Sequence, residues 1–500
     1  MRIRNYEALT NHGNTEGRKI VADIMEAALS AADPYENTLE LVRLEGGKLI
    51  FEGTDFEPKG DPKSGPAVYD LDSIDRVYVF GIGKGIQRIT KALEELLGDY
   101  LTGGFVIAKH GDDVIMEKLE VALAGHPVPD IHCAIGCQKM VDIITAAKFT
   151  SNDLVITAIG NGVSSLLTLP WPELSFEDVA ETTRLMQIEY GIKTMELNEI
   201  RVSIDQLKGG RISRMIHPAK MVHLFGVGTT PPGGKEKNPE PTDYENLIKH
   251  NDWLHTISVN MTAEKALGVI KKWDVEGKMP ESIVRFLTDM DPAKDAVRWE
   301  EFLTYDFRMF GVMTRKRSTS QAAMDKAREL GYTPYFIGSI GTEAAPSGRY
   351  TARLAIAAEA ANSMSPFKPP CALFTTGELL VTCGDNPGVG GRNQEFCLAA
   401  ATDIHLHKRI VMGAADTDGT DGPGGQFHPD ATAKGVTVLA GAIVDGYTYA
   451  ACVEKDVDVH HALATHATSR ALWEVGSGMS ATQNISVGDI SCTLVMDHDG

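Results

Sequence analysis

"VYVFGIGKG", Val77 to Gly85, carries a β-branched apolar run into three glycines at alternate positions, Gly81, Gly83 and Gly85, with Lys84 among them. A short apolar run rich in valine and phenylalanine reads as a buried strand. Glycines just past its end supply the positive φ of a tight turn. The next stretch, "IQRITKALEELLG", repeats its apolar residues at three- and four-residue spacing and so reads as a helix. The corner is not a dinucleotide fingerprint, because Ile86 stands where a third glycine is needed and no acidic residue about twenty positions on ends a second strand. Nor is it a Walker loop. The turn alone explains the glycines, but Lys84 adds something further. At a strand end and a helix start, backbone N–H groups and the helix dipole favour an anion, and a lysine there adds a point charge.

The same alternation extends outward. "GGFVIAK", "NDLVITAIG" and "AKMVHLFGVG" read as further strands, with helices through "VDIITAAK" and "EDVAETTRLMQIEYGI". Strands alternating with helices predict βαβ units and a mainly parallel sheet, whose ligands bind beyond the carboxyl ends of the strands. The glycine-rich stretches "GIGKG", "AGHPVPD" and "IGNGVSS" all fall at such ends. From Gly228 to Asn246 the chain is rich in Pro, Gly and charge and reads as a surface loop or lid. A second α/β series follows: helices "SQAAMDKAREL" and "YTARLAIAAEAANSM", a helix after "GRNQEF", and strands "YTPYFIGS", "CALFTT", "ELLVTC", "RIVMGAA" and "ISCTLVM". The stretch 275–309 reads as an inserted helical segment.

With 500 residues the chain exceeds one ordinary core. The expectation is two α/β domains with mainly parallel sheets, residues 1–260 and 261–500. The balance of 43% hydrophobic and 23% charged residues is that of a globular protein, and no apolar run is long enough to span a bilayer. The first residues lack a secretory apolar centre, and seven scattered cysteines form no framework, so a cytoplasmic location is expected. A net charge of −20 disfavours nucleic acid and anionic membranes as partners. A small anionic molecule remains a fitting partner if the cations gather in one place, and a homodimer is the default assembly.

Four other stretches carry candidate chemistry. "AIGNGVSSLLTLP" offers Gly162, Ser164 and Ser165 at a helix start, suited either to a phosphate or to plain capping. "NEIRVSIDQLKGGRIS" offers Asn198, Arg201, Lys208 and Arg211. "GVGGRNQEF" brings three glycines up to Arg392, Asn393 and Glu395, where an arginine fork fits a pair of anionic oxygens. "AADTDGTDGP" spaces Asp416, Asp418 and Asp421 so that they suit either Mg²⁺ or an Asx-rich turn. His126, His132, Cys133 and Cys137 have no partner pair at zinc-like spacing, so core packing and a turn are the expectation for them.

Taken in order, "GIGKG", "GHPVPD", "GNGVSSLL", "NEIR…LKGGRIS", "TGELLVTC", "GVGGRNQE", "TDGTDGP" and "TQNISVGDI" resemble the glycerate 2-kinase family from about Arg18 to Val495. The resemblance implies two α/β domains with a cleft between them, and phosphorylation of the 2-hydroxyl of D-glycerate with ATP and Mg²⁺. It implies Lys84 and Arg392 as cations facing substrate and phosphoryl group. Asp418 joins them as a catalytic residue, and Asp418 with Asp421 as the metal carboxylates. Gly83, Gly162, Ser164, Ser165, Asn198, Arg201, Lys208, Glu378 and Asn393 are implied as binding residues. The chain departs from the family pattern at two places. Phe225 and Gly226 stand where the family has serine and aspartate, and Val202 and Ser203 stand where it has lysine and histidine. A diverged phosphatase or phosphotransferase acting on a phosphorylated metabolite is the alternative. A nicotinamide-dependent reductase ranks low for want of a fingerprint, and a ligand-binding protein without turnover is the remaining reading.

Overall fold

The computed structural model describes residues 1–226, 243–274, 276–313, 318–360, 364–383, 387–483 and 488–497. Most of the expected lid (227–242) and part of the last threonine- and asparagine-containing loop (484–487) lie outside the described residues. The chain forms two compact units. One holds residues 34–226 and 243–313; the other holds residues 1–33 and 318–497. This division differs from a cut at 260/261. The long N-terminal helix, Thr15–Ala31, buries Val21, Ile24, Met25 and Ala28 against Phe374, Val411 and Ile443 of the second unit. Its partners on the sheet lie hundreds of residues further along the chain.

In the first unit, a small antiparallel sheet of β1 (Val42–Glu45), β2 (Lys48–Phe51) and β3 (Ala67–Asp70) precedes the main one. The main sheet contains β4 (Val77–Ile82), β5 (Leu101–Lys109), β6 (Glu120–Ala124), β7 (Leu154–Gly160), β8 (Lys220–Gly226) and β9 (Phe307–Gly311). Its order is β6-β5-β4-β7-β8-β9 and every pairing is parallel. Helix Ile86–Leu97 covers one face, packing on Val79, Val106 and Ala158. Helix Ile131–Ala147 covers the other, packing on Phe80, Phe105 and Ile107. Both faces are buried, which is why these strands read as continuous apolar runs. The chain moves from β4 outward through β5 and β6, then returns to β7 on the other side of β4 and proceeds to β8 and β9. The direction of travel reverses between β4 and β7. Crevices at such a reversal are where open α/β sheets bind ligands. The segment 275–309 is helical at Glu281–Thr288 and Trp299–Phe302, but its last residues enter β9 and extend the sheet edge, so it is not wholly helical.

The second unit is also α/β, but among its described residues only one sheet pairing is parallel. Its strands are β10 (Thr333–Ile340), β11 (Cys371–Gly377), β12 (Ile410–Asp416), β13 (Gly441–Asp445), β14 (Gly478–Met479) and β15 (Asp489–Val495). They run in the order β10-β11-β15-β12-β13-β14. β10 and β11 pair in parallel; the closing strand β15 inserts between β11 and β12, antiparallel to both. Sequence order alone does not say where a last strand will insert. "ELLVTC" is not a strand: after Gly377 only Leu380 makes an isolated bridge, to Glu343.

One buried group in the first unit ties stability to pH. His223 on β8 is fully buried, its Nδ1 2.7 Å from Thr157 Oγ1, and burial lowers its pKa to about 3. His255 is lowered well below its ordinary value for the same reason. Unfolded histidine takes up its proton near pH 6.5, whereas the folded imidazole does not. The stabilisation is therefore present above pH 6.5 and lost as pH falls toward 3, at up to about 1.4 kcal/mol per pH unit for each group. Thermal melts from pH 7 to 4 are expected to show this slope, and His223→Leu to flatten it; an unchanged slope in the variant would contradict the assignment.

Candidate active site

The Lys84 corner is held by backbone contacts only glycines permit. Gly83 has φ 137° and donates its amide to Ile107 O at 3.0 Å. Lys84 donates its amide to Asn161 O at 2.7 Å, so the loops after β4 and β7 are hydrogen-bonded to each other. A methyl on Gly83 would lie 2.6 Å from Gly160 Cα, and one on Gly160 would strike the Lys84 carbonyl. Helix Ile86–Leu97 starts at Gly85 (φ 68°), which has no side chain to cap its first amides. Gly162 has φ 76°, and a methyl there would lie 2.8 Å from His126 Cδ2 and 3.2 Å from Lys84 Cγ. The stem of half-buried Lys84 and the imidazole of exposed His126 therefore meet over Gly162. The structure brings Gly83, Lys84 and Gly162 together at the β4/β7 reversal, and it adds His126, which sequence reasoning had assigned to packing. Of the group read with it, Cys133 and Cys137 are indeed in the core, but His126 and His132 are exposed.

Ser164 and Ser165 are buried and do not cap their helix. Ser164 Oγ lies 2.9 Å from His255 Nε2, and Ser165 Oγ donates to Gly125 O at 3.1 Å, tying down the loop that carries His126. Asn198 and Arg201 are buried on helix Thr194–Ser203. Asn198 Nδ2 donates to Asp252 O at 2.9 Å and Arg201 Nη2 to Gln187 Oε1 at 2.7 Å. Burial lowers the Arg201 guanidinium to about 10. Lys208 is 1% exposed; its ammonium pairs with Asp205 Oδ2 at 2.8 Å and donates to Thr168 Oγ1 and to the Leu167 carbonyl. Arg211 donates to the carbonyls of Val202, Lys208 and Lys294. Lys208 and Arg211 thus hold loops together and do not present charge to a ligand. Gly226, where the family pattern has aspartate, ends β8 in register with Gly160; a methyl there would lie 2.9 Å from Ile89 Cδ1. Gly226 itself brings no carboxylate to that strand end.

In the second unit, Arg392 opens helix Arg392–Asp403. Its Nε lies 2.9 Å from Asp489 Oδ2 and its Nη2 2.9 Å from Asp416 Oδ2, with Glu378 Oε1 at 3.7 Å. Asp416 and Asp489 are register partners on β12 and β15, so the guanidinium bridges two facing carboxylates. Asp489 was not singled out from sequence, because its pairing with Asp416 appears only when β15 inserts. Asn393 N and Nδ2 donate to Asp421 Oδ1, and Gln394 N donates to Asp421 Oδ2. Asp418 Oδ1 accepts from Thr420 N and Oγ1, and Asp418 N donates to Asp416 Oδ1, an Asx-type turn. Gly391 is glycine because a methyl would strike Asp421. Burial raises Asp421 to about 6 and pushes Asp489 up as well.

The Mg²⁺ assignment at Asp418 and Asp421 does not fit these contacts. Asp421 accepts backbone amides at the start of the helix on both carboxylate oxygens, and Asp418 Oδ1 accepts from Thr420. Among the described residues, three potential ligands converge only at His110, Asp130 and His132. No helix among the described residues is long and apolar enough to cross a membrane.

With this geometry in place, comparison with known proteins is informative. Residues 20–226 match the domain of unknown function DUF4147, and residues 371–486 match the MOFRL family. The chain is 31% identical over 464 residues to glycerate 2-kinase from Pyrococcus horikoshii, covering 92% of each chain. It is 29% identical to D-glycerate 2-kinase from Thermotoga maritima, over 85% of this chain and 92% of that one. The crystal structure of the Thermotoga maritima glycerate kinase superimposes with a TM-score of 0.68 at 25% identity, covering 96% of this chain and 99% of that one. The order of motifs, the two α/β units and this end-to-end similarity agree: the chain belongs to the glycerate 2-kinase family.

Proposed function

We propose that this protein transfers the terminal phosphoryl group of ATP to a hydroxyl of a small organic acid, D-glycerate first among them, at the strand ends of β4 and β7. It is a phosphotransferase of the glycerate kinase type. The observation that carries the site assignment is the meeting of Lys84, Gly162 and His126 at the point where strand order reverses, beside a helix start whose N-cap residue is glycine.

Phosphoryl transfer spreads negative charge over the equatorial oxygens of its transition state, so catalysis is mostly positioning and electrostatics. Lys84 supplies the positive charge, and backbone amides of the glycine turns supply fixed donors. His126 supplies a titratable ring at the same corner, where Gly226 offers none. Arg392, Asp418 and Glu378 form a second polar centre in which the arginine's charge is already matched by carboxylates. Their role in this proposal is to shape that loop cluster, with Asn393 as its anchor to Asp421. Mg²⁺ enters only as the companion of the nucleotide's own phosphates.

The test is a coupled assay of purified protein with Mg-ATP and D-glycerate, scoring ADP and identifying the product as 2-phosphoglycerate by mass spectrometry. ADP formation that depends on D-glycerate is expected. No ADP across a panel of 2-hydroxy acids would overturn the proposal. Phosphate release from phosphoglycerates without ATP would point to the phosphatase alternative, which the kinase relatives do not favour.

A further inference from the structure

His132 on its own had no ligand partner in the sequence, but the fold brings one from another strand. His110 follows β5 directly, and its amide donates to Ala124 O at 2.9 Å, fixing it beside the end of β6. Asp130 Oδ1 accepts from the amides of Gly125, His132 and Cys133 at 3.0, 3.1 and 3.3 Å, which locks the carboxylate in place. Its second oxygen then faces His110 Nε2 at 2.6 Å. The rings of His110 and His132 stand edge to face, 5.4 Å apart at 87°. One ligand atom from each of the three residues lies within 4.8 Å of the other two.

We propose that His110, Asp130 and His132 form a binding site for a divalent first-row transition metal of the Zn²⁺ type, separate from any ion that accompanies the nucleotide. A helix-capping ion pair accounts for Asp130 and His110, but not for the approach of His132. Two imidazoles and one carboxylate are the donor set of zinc-like sites that keep a position open to water. Nitrogen donors select Zn²⁺, Co²⁺ or Ni²⁺ over Mg²⁺, which prefers oxygen. Zinc–nitrogen and zinc–oxygen bonds run about 2.0–2.2 Å, so two ligand atoms on one ion lie at most about 4.4 Å apart. The three ligand atoms, all within 4.8 Å of one another, are close to that limit. Both histidines are exposed, which leaves an entry path, and the Asp130 carboxylate offsets the positive end of helix Ile131–Ala147 that would otherwise repel a cation.

Metal-stripped full-length protein is titrated calorimetrically with Zn²⁺, and with Co²⁺ followed by visible absorption. One equivalent is expected to bind, with a Co²⁺ spectrum showing nitrogen coordination. His110→Ala and His132→Ala are each expected to weaken that event by about 100-fold or more, since loss of even outer contacts costs 10- to 100-fold. Thermal melts check that both variants stay folded, as their side chains are at the surface. Absence of a stoichiometric event in the parent protein, or equal affinity in folded variants, overturns the proposal. Because the readout is binding alone, its failure leaves the kinase assignment untouched.

Discussion

Lys84→Ala is expected to lower turnover by roughly 10²–10³, equivalent to about 3–4 kcal/mol of barrier, while leaving the fold intact. The stabilisation of developing phosphoryl charge depends on a positive group held at a fixed place. Here the turn backbone is clamped by the hydrogen bonds of Gly83 to Ile107 and Lys84 to Asn161, neither of which involves the side chain. Losing the ammonium therefore removes charge without removing the turn. Steady-state kinetics with D-glycerate and ATP should place the loss in kcat and kcat/KM together if the lysine acts in the transition state, and in KM alone if it only holds the ground state. Thermal stability within about 0.5 kcal/mol of the parent is the control, as for a partly exposed side chain outside the core. Undiminished kcat/KM in a folded variant would remove Lys84 from the site.

Lys208→Ala is expected to act in the opposite way, costing about 3–5 kcal/mol of stability because it strands the buried Asp205 carboxylate. Asp205 also accepts the amides of Leu169, Leu207 and Lys208, and the ammonium reaches the Leu167 carbonyl, so one side chain closes the loop after the glycine-serine motif onto the loop before Gly209. Urea midpoints report the loss, and Lys208→Met combined with Asp205→Asn should recover part of it by removing both charges. If Lys208→Ala unfolds with the parent's midpoint but loses glycerate affinity, the lysine binds substrate after all, and its buried position here is not the working one. Lys84 and Lys208 both lie beside glycines in sequence. Burial separates them: one is half-exposed at a strand end, the other is enclosed with its counter-ion.

Legibility from sequence follows the range of the interactions. The strand–glycine–helix corner at Val77–Leu97 was readable because its signals are local: an apolar run, positive-φ glycines and an amphipathic period. The same holds for β5, β7, β8, β12 and β15. The antiparallel insertion of β15, the placement of helix Thr15–Ala31 with the second unit, and the strand β9 at the end of the 275–309 segment were not readable. Each depends on pairing with residues far along the chain. Ser164 and Ser165 were read as either capping or ligand-binding, yet they bond to His255 and Gly125, partners that no spacing rule names. The three glycines before Arg392 were read as leading into an arginine fork for anionic oxygens; at Gly391 the close neighbour is Asp421.

By itself, then, the chain's order of residues determined which segments become strands and helices, where the tight turns fall and which charged groups stand near them, because those outcomes rest on backbone conformation and periodic burial within a few turns. Only the tertiary structure decided which of those charges are enclosed with a buried partner. Desolvation and pairing depend on what packs opposite: Asp205 against Lys208, Asp416 and Asp489 against Arg392, His126 over Gly162 beside Lys84. A lysine's charge is worth little to a substrate when a buried carboxylate already holds it, and that partner is set by the fold.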